Sequence, residues 1–210
     1  VKEDMMGWGL FFHPDFIRGS VLGSKMKDYS YFSYDVSEAL HLSEKEKQLL
    51  HDCMMKIHSE LSQNIDSYSQ VLIASNIELM LNYCSRYYGR QFITRKSANL
   101  DVVSKVEDIL NGYFENEEKR NEGMPSVKYL ANTVNLSPSY LSDLLKRETG
   151  LNAQDHIHYF VIEQAKNILL QTNQSVSEIA YSLGFEYPQY FSRLFKQKTG
   201  KTPLEYRSNN

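Results

Sequence analysis

The stretch IAYSLGFEYPQYFSRLFKQKTGKTPLEYR, at residues 179–207, decides the fold, because its pattern occurs twice in the chain. The earlier copy includes SPSYLSDLLKRETG at residues 137–150. An internal repeat predicts two similar structural units. The offset is 49 residues before the segment 184–188 and 50 residues after it, so the second unit has one extra residue. The identical pairs include Ser126 and Ser175, Val127 and Val176, Ala131 and Ala180, Tyr140 and Tyr190, Ser142 and Ser192, Leu144 and Leu194, Lys146 and Lys196, Thr149 and Thr199, and Gly150 and Gly200.

The first unit has the pattern of two short helices joined by a turn. Ser126 is suited to cap the first helix, and the turn falls at Asn135 and the leucine after it. Ser137 is suited to cap the second helix, with Pro138 at its first position, where a missing N–H costs nothing. Gly150 ends this helix. These signals predict a helix-turn-helix.

The second unit repeats the arrangement with different residues. Ser175 and Glu178 form the capping-box pattern S-x-x-E, and Gly184 provides the turn. The next helix begins near Pro188 and ends at Gly200. The sequence therefore predicts a second helix-turn-helix.

Small residues and a long apolar pattern complete the C-terminal part. Ala131 and Ala180 lie midway in the first helix of each unit and allow the second helix to cross closely. Residues 153–170 predict one helix between the units, which spans roughly 27 Å at 1.5 Å per residue. This helix has no Gly or Pro, so we expect a stiff connection. The sequence TPLE at residues 202–205 predicts the cap of a short final helix.

The N-terminal part predicts further helices. Ser43 and Glu46 form a capping box ahead of an amphipathic pattern over residues 43–62. Residues 67–88 are apolar nearly all round, which predicts a helix buried on several sides. One amphipathic neighbour cannot cover it, so we expect a homodimer formed through the helices in residues 43–88. Residues 99–114 predict another helix.

The first aromatic stretch is expected to differ. Residues 7–17, GWGLFFHPDFI, predict a short β-strand that Pro14 stops. A lone strand cannot form a stable sheet, so its partner strands are expected outside this chain. The first residue, Val1, also suggests a fragment of a longer protein. The predicted fold class is mainly α, with one residual strand.

Composition and charge divide the chain. The hydrophobic fraction of 41% and charged fraction of 23% are typical of globular proteins and exclude a disordered chain. Residues 1–123 have 14 Lys/Arg and 19 Asp/Glu, a net charge of −5, whereas residues 124–210 have 9 and 7, a net charge of +2, so the whole chain has −3. Such asymmetry suggests two functions. The polar stretch at residues 116–124 is the predicted linker, which gives domains at residues 1–115 and 125–210.

The two repeat stretches resemble the AraC/XylS transcription regulators. Residues 179–207 contain the elements I-A-x-x-x-G-F, F-x-R-x-F-K and G-x-x-P-x-x-Y-R, and the resemblance covers residues 125–207. Residues 7–92 are similar to the part that follows the ligand-binding barrel in two-domain members. The resemblance implies a bacterial cytoplasmic regulator that binds double-stranded DNA. Residues 1–115 would end a sensor domain and supply its dimerisation helices. A small-molecule effector would bind in an N-terminal cupin-like barrel absent from this chain.

Reading of DNA bases requires exposed polar side chains on the early turns of each second helix. In the second unit these are Gln189, Tyr190 and Arg193, since Arg can contact guanine and Gln can contact adenine. For the first unit the resemblance implies Ser139, Ser142 and Asp143, although a carboxylate at position 143 repels phosphate. Expected phosphate contacts are Ser137, Tyr140, Lys146, Arg147, Tyr187, Lys196 and Lys198.

Structural roles are alternatives for some of these residues. Arg193 could form a structural salt bridge, and Tyr140 and Tyr190 could pack at the edge of the core. A helix-turn-helix pattern also occurs in domains that do not bind DNA, but two units in tandem favour DNA binding.

No catalytic residue, cofactor or metal site is predicted. The sequence has no Gly-rich phosphate loop, nucleophile elbow or H-E-x-x-H motif. The histidine pairs lack acidic or Cys partners at the spacing of metal ligands. Cys53 and Cys84 lie in apolar helical patterns, as reduced core thiols do. No apolar run approaches the ~20 residues that cross a bilayer, so no membrane partner is expected.

Two other functions stay open. A helix-turn-helix can direct an enzyme to DNA, as in alkyl-transfer repair proteins, but such an enzyme needs a reactive cysteine in a basic pocket. Alternatively, the chain could act mainly as a protein-interaction and dimerisation module with weakened DNA binding, as Asp143 suggests.

Overall fold

The computed structural model describes residues 7–116, 118–119 and 123–208, and it contains only helices and loops over those residues. The predicted mainly α fold class is confirmed. The chain forms two compact units. The first consists of the residues up to Phe32 together with Ala39–Thr94, and the second consists of Ser33–Glu38 together with the residues from Arg95 onward.

The first compact unit is built around two long antiparallel helices. Its helices are α1 (Pro14–Ile17), α2 (Val21–Lys25), α3 (Glu44–Leu61) and α4 (Ser69–Thr94). Helix α3 begins at the predicted capping box, in which Ser43 accepts from the backbone N–H of Glu46. Helix α4 extends six residues beyond the predicted end at Tyr88. The buried core of this unit contains Ile17, Leu22, Tyr29, Ile57, Ile73, Ala74, Ile77 and Leu81.

The strand predicted over residues 7–17 is wrong. Residues 7–13 have no regular secondary structure, and Pro14–Ile17 is a helical turn. His13 caps this turn, because its Nδ1 accepts from the backbone N–H of Asp15 at 3.2 Å. Pro14 at the first helical position has the fixed φ angle that a helix start requires. The local cap therefore prevails over the β propensity of the aromatic residues.

Besides the 3-10 helix Val36–Glu38, the second compact unit contains seven α-helices among the described residues. They are α5 (Lys96–Glu115), α6 (Val127–Thr133), α7 (Pro138–Thr149), α8 (Ala153–Gln171), α9 (Val176–Ser182), α10 (Pro188–Thr199) and α11 (Pro203–Ser208). Helix α8 lies between the two helix pairs α6–α7 and α9–α10 and packs on all four helices. Its fully buried residues include Ile157, Val161 and Ala165.

Helix α5 belongs to the second compact unit, where it packs on α7 and α8. The sequence instead predicts an N-terminal domain up to residue 115 and a linker at residues 116–124. That functional division stays a prediction, and residues 117 and 120–122 of the linker lie outside the described residues.

The two helix pairs have the predicted caps and turns. Ser126, Ser137 and Ser175 cap α6, α7 and α9 through their side chains. The glycines that follow α7 and α10 have left-handed φ angles of 82° and 77°. Asn135 (φ 56°) and Gly184 (φ 85°) form the turns between the paired helices. Short polar caps and left-handed turns thus define both units.

Candidate nucleic-acid interface

Helix α10, the second helix of the second helix-turn-helix, presents an exposed polar face at its first turns. Tyr187 is its N-cap residue and makes no side-chain capping bond. Gln189, Tyr190 and Arg193 are all exposed. The Arg193 guanidinium lies over the Tyr190 ring, 5.4 Å from its centroid, and the Tyr187 ring packs edge-on against Tyr190 at 5.8 Å. Packing of this kind restricts the side chains while leaving their polar atoms in solvent.

The second half of α10 is positively charged. Lys196 and Lys198 lie in its last turns, and the helix contains no acidic residue. Lys196 is exposed. Lys198 forms an ion pair with Asp155 of α8, with Nζ and Oδ1 separated by 2.8 Å. The hydrogen bond from Lys198 holds the pKa of Asp155 below its usual value. One of the two lysines is therefore already paired within the protein.

Helix α7, the second helix of the first helix-turn-helix, presents a less accessible face. Ser139, Ser142 and Asp143 are all half-buried. Ser142 Oγ accepts from the backbone N–H of Ala153 at 3.3 Å, so it contributes to the start of α8. Asp143 Oδ2 accepts from the hydroxyl of Tyr34 at 2.7 Å. The three implied base-reading residues share one helix, and two of them already have hydrogen-bond partners.

The predicted phosphate contacts of the first unit divide into two groups. Lys146 and Arg147 are exposed in the last turns of α7. Ser137 and Tyr140 are instead buried, with exposed fractions of 3% and 4%. Burial raises the pKa of the Tyr140 hydroxyl. Tyr140 therefore packs inside the domain, whereas its counterpart Tyr190 is exposed, and a role of either residue in DNA contact stays a prediction.

Sequence reasoning missed the segment Ser33–Glu38, which lies against α7. Glu38 is 3% exposed, and its carboxylate accepts from the backbone N–H of Ser137 at 2.6 Å and from the Ser137 hydroxyl at 2.5 Å. The two residues are 99 positions apart. No local pattern around residue 38 could have indicated this pairing.

The described residues show no arrangement typical of a metal site or a membrane span. No group of three or more His, Cys, Asp or Glu side chains in the described ranges is placed to hold a metal ion. Within the same ranges, no helix combines the length and apolar character needed to cross a membrane. Cys53 is buried and Cys84 half-buried, and burial raises the pKa of the Cys84 thiol to about 11.

Comparisons with known proteins agree with the helix-turn-helix geometry. Residues 130–209 match the family model described as "Helix-turn-helix domain". The arabinose operon regulatory protein of Salmonella typhimurium is 27% identical over 85% of this chain and 57% of its own length. The transcriptional regulatory protein YesN of Bacillus subtilis is 40% identical over 58% of this chain and 34% of its own length. The AdaA protein of Bacillus subtilis, named as a bifunctional transcriptional activator and DNA repair enzyme, is 33% identical over 50% of this chain and 48% of its own length.

The fold and these matches define the second compact unit as a tandem helix-turn-helix domain. Residues 130–209 are thus similar to helix-turn-helix transcription regulators such as the arabinose regulator, in agreement with the resemblance seen in the sequence. The chain spans about half or less of most of these relatives: 57% of the arabinose regulator, 34% of YesN and 48% of AdaA.

Proposed function

We propose that the chain is a sequence-specific DNA-binding transcription regulator whose two helix-turn-helix units bind adjacent major-groove segments. The observation that carries the proposal is the exposed face of α10, where Gln189, Tyr190 and Arg193 stand at the first turns of a second helix. Side chains at this place in a helix-turn-helix contact base edges. The family of the domain supports the same function.

The stiff helix α8 sets the distance between the two units. It has 19 residues and no Gly or Pro, and at 1.5 Å per residue it is ~28 Å long. With the widths of the flanking helices, this length approaches the ~34 Å between successive major grooves on one face of DNA. One chain is therefore expected to contact two patches about one helical turn apart.

Selection of bound sequences from random DNA, followed by hydroxyl-radical footprinting of the full chain, tests this function. We expect two protected patches per chain on one face of the duplex. Inserting about 5 base pairs between the patches rotates one of them away and abolishes tandem contact, and about 10 base pairs does not restore it, because α8 cannot stretch. Restored binding with the longer insertion would contradict the stiff connection. Binding to all sequences alike would instead favour the interaction-module alternative.

Self-association through residues 43–88 is a further part of the proposal. Helix α4 leaves Val71, Leu72 and Leu79 exposed, and α3 leaves Leu49 and Met55 exposed. Solvated apolar side chains on two packed helices favour a partner surface of the same kind. We expect a homodimer in sedimentation equilibrium at micromolar concentration. A monomer both with and without DNA would contradict this assignment.

An enzymatic activity is not supported by the two thiols. Repair by alkyl transfer, the type considered for a cysteine enzyme, requires a thiolate, which a low thiol pKa favours. Burial instead raises the pKa of both Cys53 and Cys84. Rapid labelling of a thiol in the folded chain would contradict this conclusion. A cytoplasmic location and a small-molecule effector, bound in a part of the protein outside this chain, complete the proposal.

A further inference from the structure

In the part of the chain that the structure describes, three helices begin with a capping box, and α7 begins with a substitute for one. In α3, α9 and α11 a glutamate three residues after the cap accepts from the backbone N–H of the cap residue, at 2.7–2.8 Å. In α7 the corresponding position is occupied by Tyr140, which has no carboxylate. Glu38 supplies the carboxylate instead, at 2.6 Å from the Ser137 nitrogen. A distant segment thus supplies at α7 the carboxylate that α3, α9 and α11 supply locally.

Glu38 is held firmly in this position. Besides the two bonds from Ser137, its carboxylate accepts from the backbone N–H of Asp35 at 2.7 Å. All three donors belong to the second compact unit, and both Glu38 and Ser137 are only 3% exposed. Because a buried carboxylate with several donors is well satisfied, the segment has a defined docked state.

The same segment covers the base-reading side of α7. The Tyr34 ring packs edge-on against Tyr140, with 5.1 Å between ring centroids, and its hydroxyl donates to Asp143 at 2.7 Å. Ser137 and Tyr140 are predicted phosphate contacts, and Asp143 is a predicted base contact. Three of the first unit's expected DNA contacts are therefore engaged by residues 34 and 38 of the same chain.

We propose that Ser33–Glu38 is an autoinhibitory segment that closes the first helix-turn-helix unit to DNA, with the Glu38 carboxylate occupying the place of a DNA phosphate at the start of α7. This inference rests on the proposed DNA-binding function. Backbone N–H groups and hydroxyls at the start of a helix are common ligands of DNA phosphates. Glu38 takes these donors at Ser137 and adds a negative charge beside Asp143. Binding of DNA by the first unit must therefore displace the segment.

Glu38→Gln and Tyr34→Phe test the inhibition in the full chain. The first variant removes the charge that mimics phosphate, and the second removes only the hydroxyl bonded to Asp143. Asp35→Asn is the matched control, because Asp35 is exposed in the same segment and its removal also eliminates one negative charge. We expect Glu38→Gln to tighten specific binding at least about fivefold, within the range of ordinary intramolecular coupling, and to strengthen the footprint of the first unit. Tyr34→Phe should act in the same direction with a smaller effect, and Asp35→Asn should change affinity less than about twofold.

Hydrogen exchange on the unaltered chain provides a second readout that needs no variant. The Asp35 amide donates to the Glu38 carboxylate, and the bonds from Ser137 hold that carboxylate in place. The amide is therefore expected to be protected in the free protein and to exchange faster once operator DNA displaces the segment from α7. Retained protection in a complex that footprints both patches would overturn the inhibition.

The outcomes separate this inference from the function beneath it. If Glu38 is only a structural cap, Glu38→Gln loosens α7 and weakens DNA binding, which overturns the inhibition, as does unchanged affinity. In both cases the proposed function would still hold if the chain binds a specific DNA sequence and Arg193→Ala weakens that binding. Absence of specific binding in every variant would overturn both.

Discussion

Tyr140 and Tyr190 occupy matching positions in the two helix-turn-helix units, yet Tyr140 is 4% exposed and Tyr190 is 57% exposed. The helices that hold them begin at a proline and end before a left-handed glycine in both units. The first helix-turn-helix unit differs in that the segment Ser33–Glu38 packs on it, with the Tyr34 ring against Tyr140. Repeat symmetry therefore determines the backbone of each unit, whereas a distant part of the chain determines which side chains are available.

The two helix-turn-helix units also differ in charge, and the second unit is the more positive. Helix α10 has three basic and no acidic residues, whereas in α7 Asp143 and Glu148 balance Lys146 and Arg147. Asp143 and Arg193 lie at matching repeat positions, so the contrast falls on the base-reading face itself. Since DNA binding depends strongly on phosphate neutralisation, the second unit is expected to dominate affinity.

The turns of the two units provide the largest expected effect. Gly184 has φ 85°, and a Cβ there would lie 2.5 Å from the backbone carbon of Gly123. We expect Gly184→Ala to destabilise the domain by about 2–4 kcal/mol, since left-handed strain and a backbone clash add together. Asn135→Gly in the first unit should change stability by less than about 1 kcal/mol. Urea unfolding followed by circular dichroism measures both.

Gly200→Ala is the matched control for the turn variant. Its φ of 77° is similar, but a Cβ there meets nothing within 4 Å. It should therefore show only the conformational cost of about 1–2 kcal/mol. Equal losses for Gly184→Ala and Gly200→Ala would mean that the contact with Gly123 yields without cost.

The base-reading face of α10 provides the next effect. Arg193→Ala is expected to reduce specific binding by about 1–3 kcal/mol and to relax preference at one base pair. Lys196→Ala should weaken binding to all sequences similarly and reduce the salt slope by about one unit. Titrations of specific and random duplexes at several salt concentrations distinguish the two variants. If both behave alike, Arg193 contacts a phosphate and its base-reading role is wrong.

Local signals were sufficient for the caps and turns of both units. Ser126, Ser137 and Ser175 form hydrogen bonds within three residues of themselves, so a short sequence window contains the whole interaction. The bond from Ser137 to Glu38 spans 99 positions, and no such window includes it. The accessibility of α7 could therefore not be predicted, although its helix and its N-cap were.

The prediction of a strand at residues 7–17 is wrong for a related reason. Aromatic residues favour strands only when a neighbouring strand is present, because strand stability comes from pairing. His13 and Pro14 instead form a complete helix start within the same few residues. In this segment a local capping signal determines the structure, and the average propensity of its residues does not. Helix α4 extends beyond its predicted end at Tyr88, and its last turn includes Gln91 and Phe92, which are buried.

The acidic residue on α7 provides a smaller effect. Asp143→Asn should tighten non-specific binding a few-fold by removing repulsion from phosphate, with the gain decreasing at high salt. An asparagine can still accept the bond from Tyr34 through its side-chain oxygen. Glu148→Gln on the same helix is the control for charge, because Glu148 is bonded to Asn99 on a different side of α7. Equal gains from both variants would show that total charge, not the position of Asp143, determines the effect.

The paired lysine of α10 provides the smallest effect. The Lys198 ammonium is paired with Asp155, so Lys198→Ala should weaken DNA binding less than Lys196→Ala does.

The folded-state pKa of Asp155 is lowered, chiefly by the hydrogen bond from Lys198. The pair therefore stabilises the fold at neutral pH, and this stabilisation is lost as pH falls below the ordinary value of 3.8 and through the lower folded-state pKa. Because both side chains are about one-third exposed, 33% for Lys198 and 34% for Asp155, the pair is expected to contribute only about 0–1 kcal/mol. Urea midpoints of the native chain and Lys198→Ala at about pH 6 and about pH 3 should therefore differ more at the higher pH. An equal difference at both values would show that Lys198 stabilises the domain by packing of its aliphatic stem, and its ammonium would then be available to DNA.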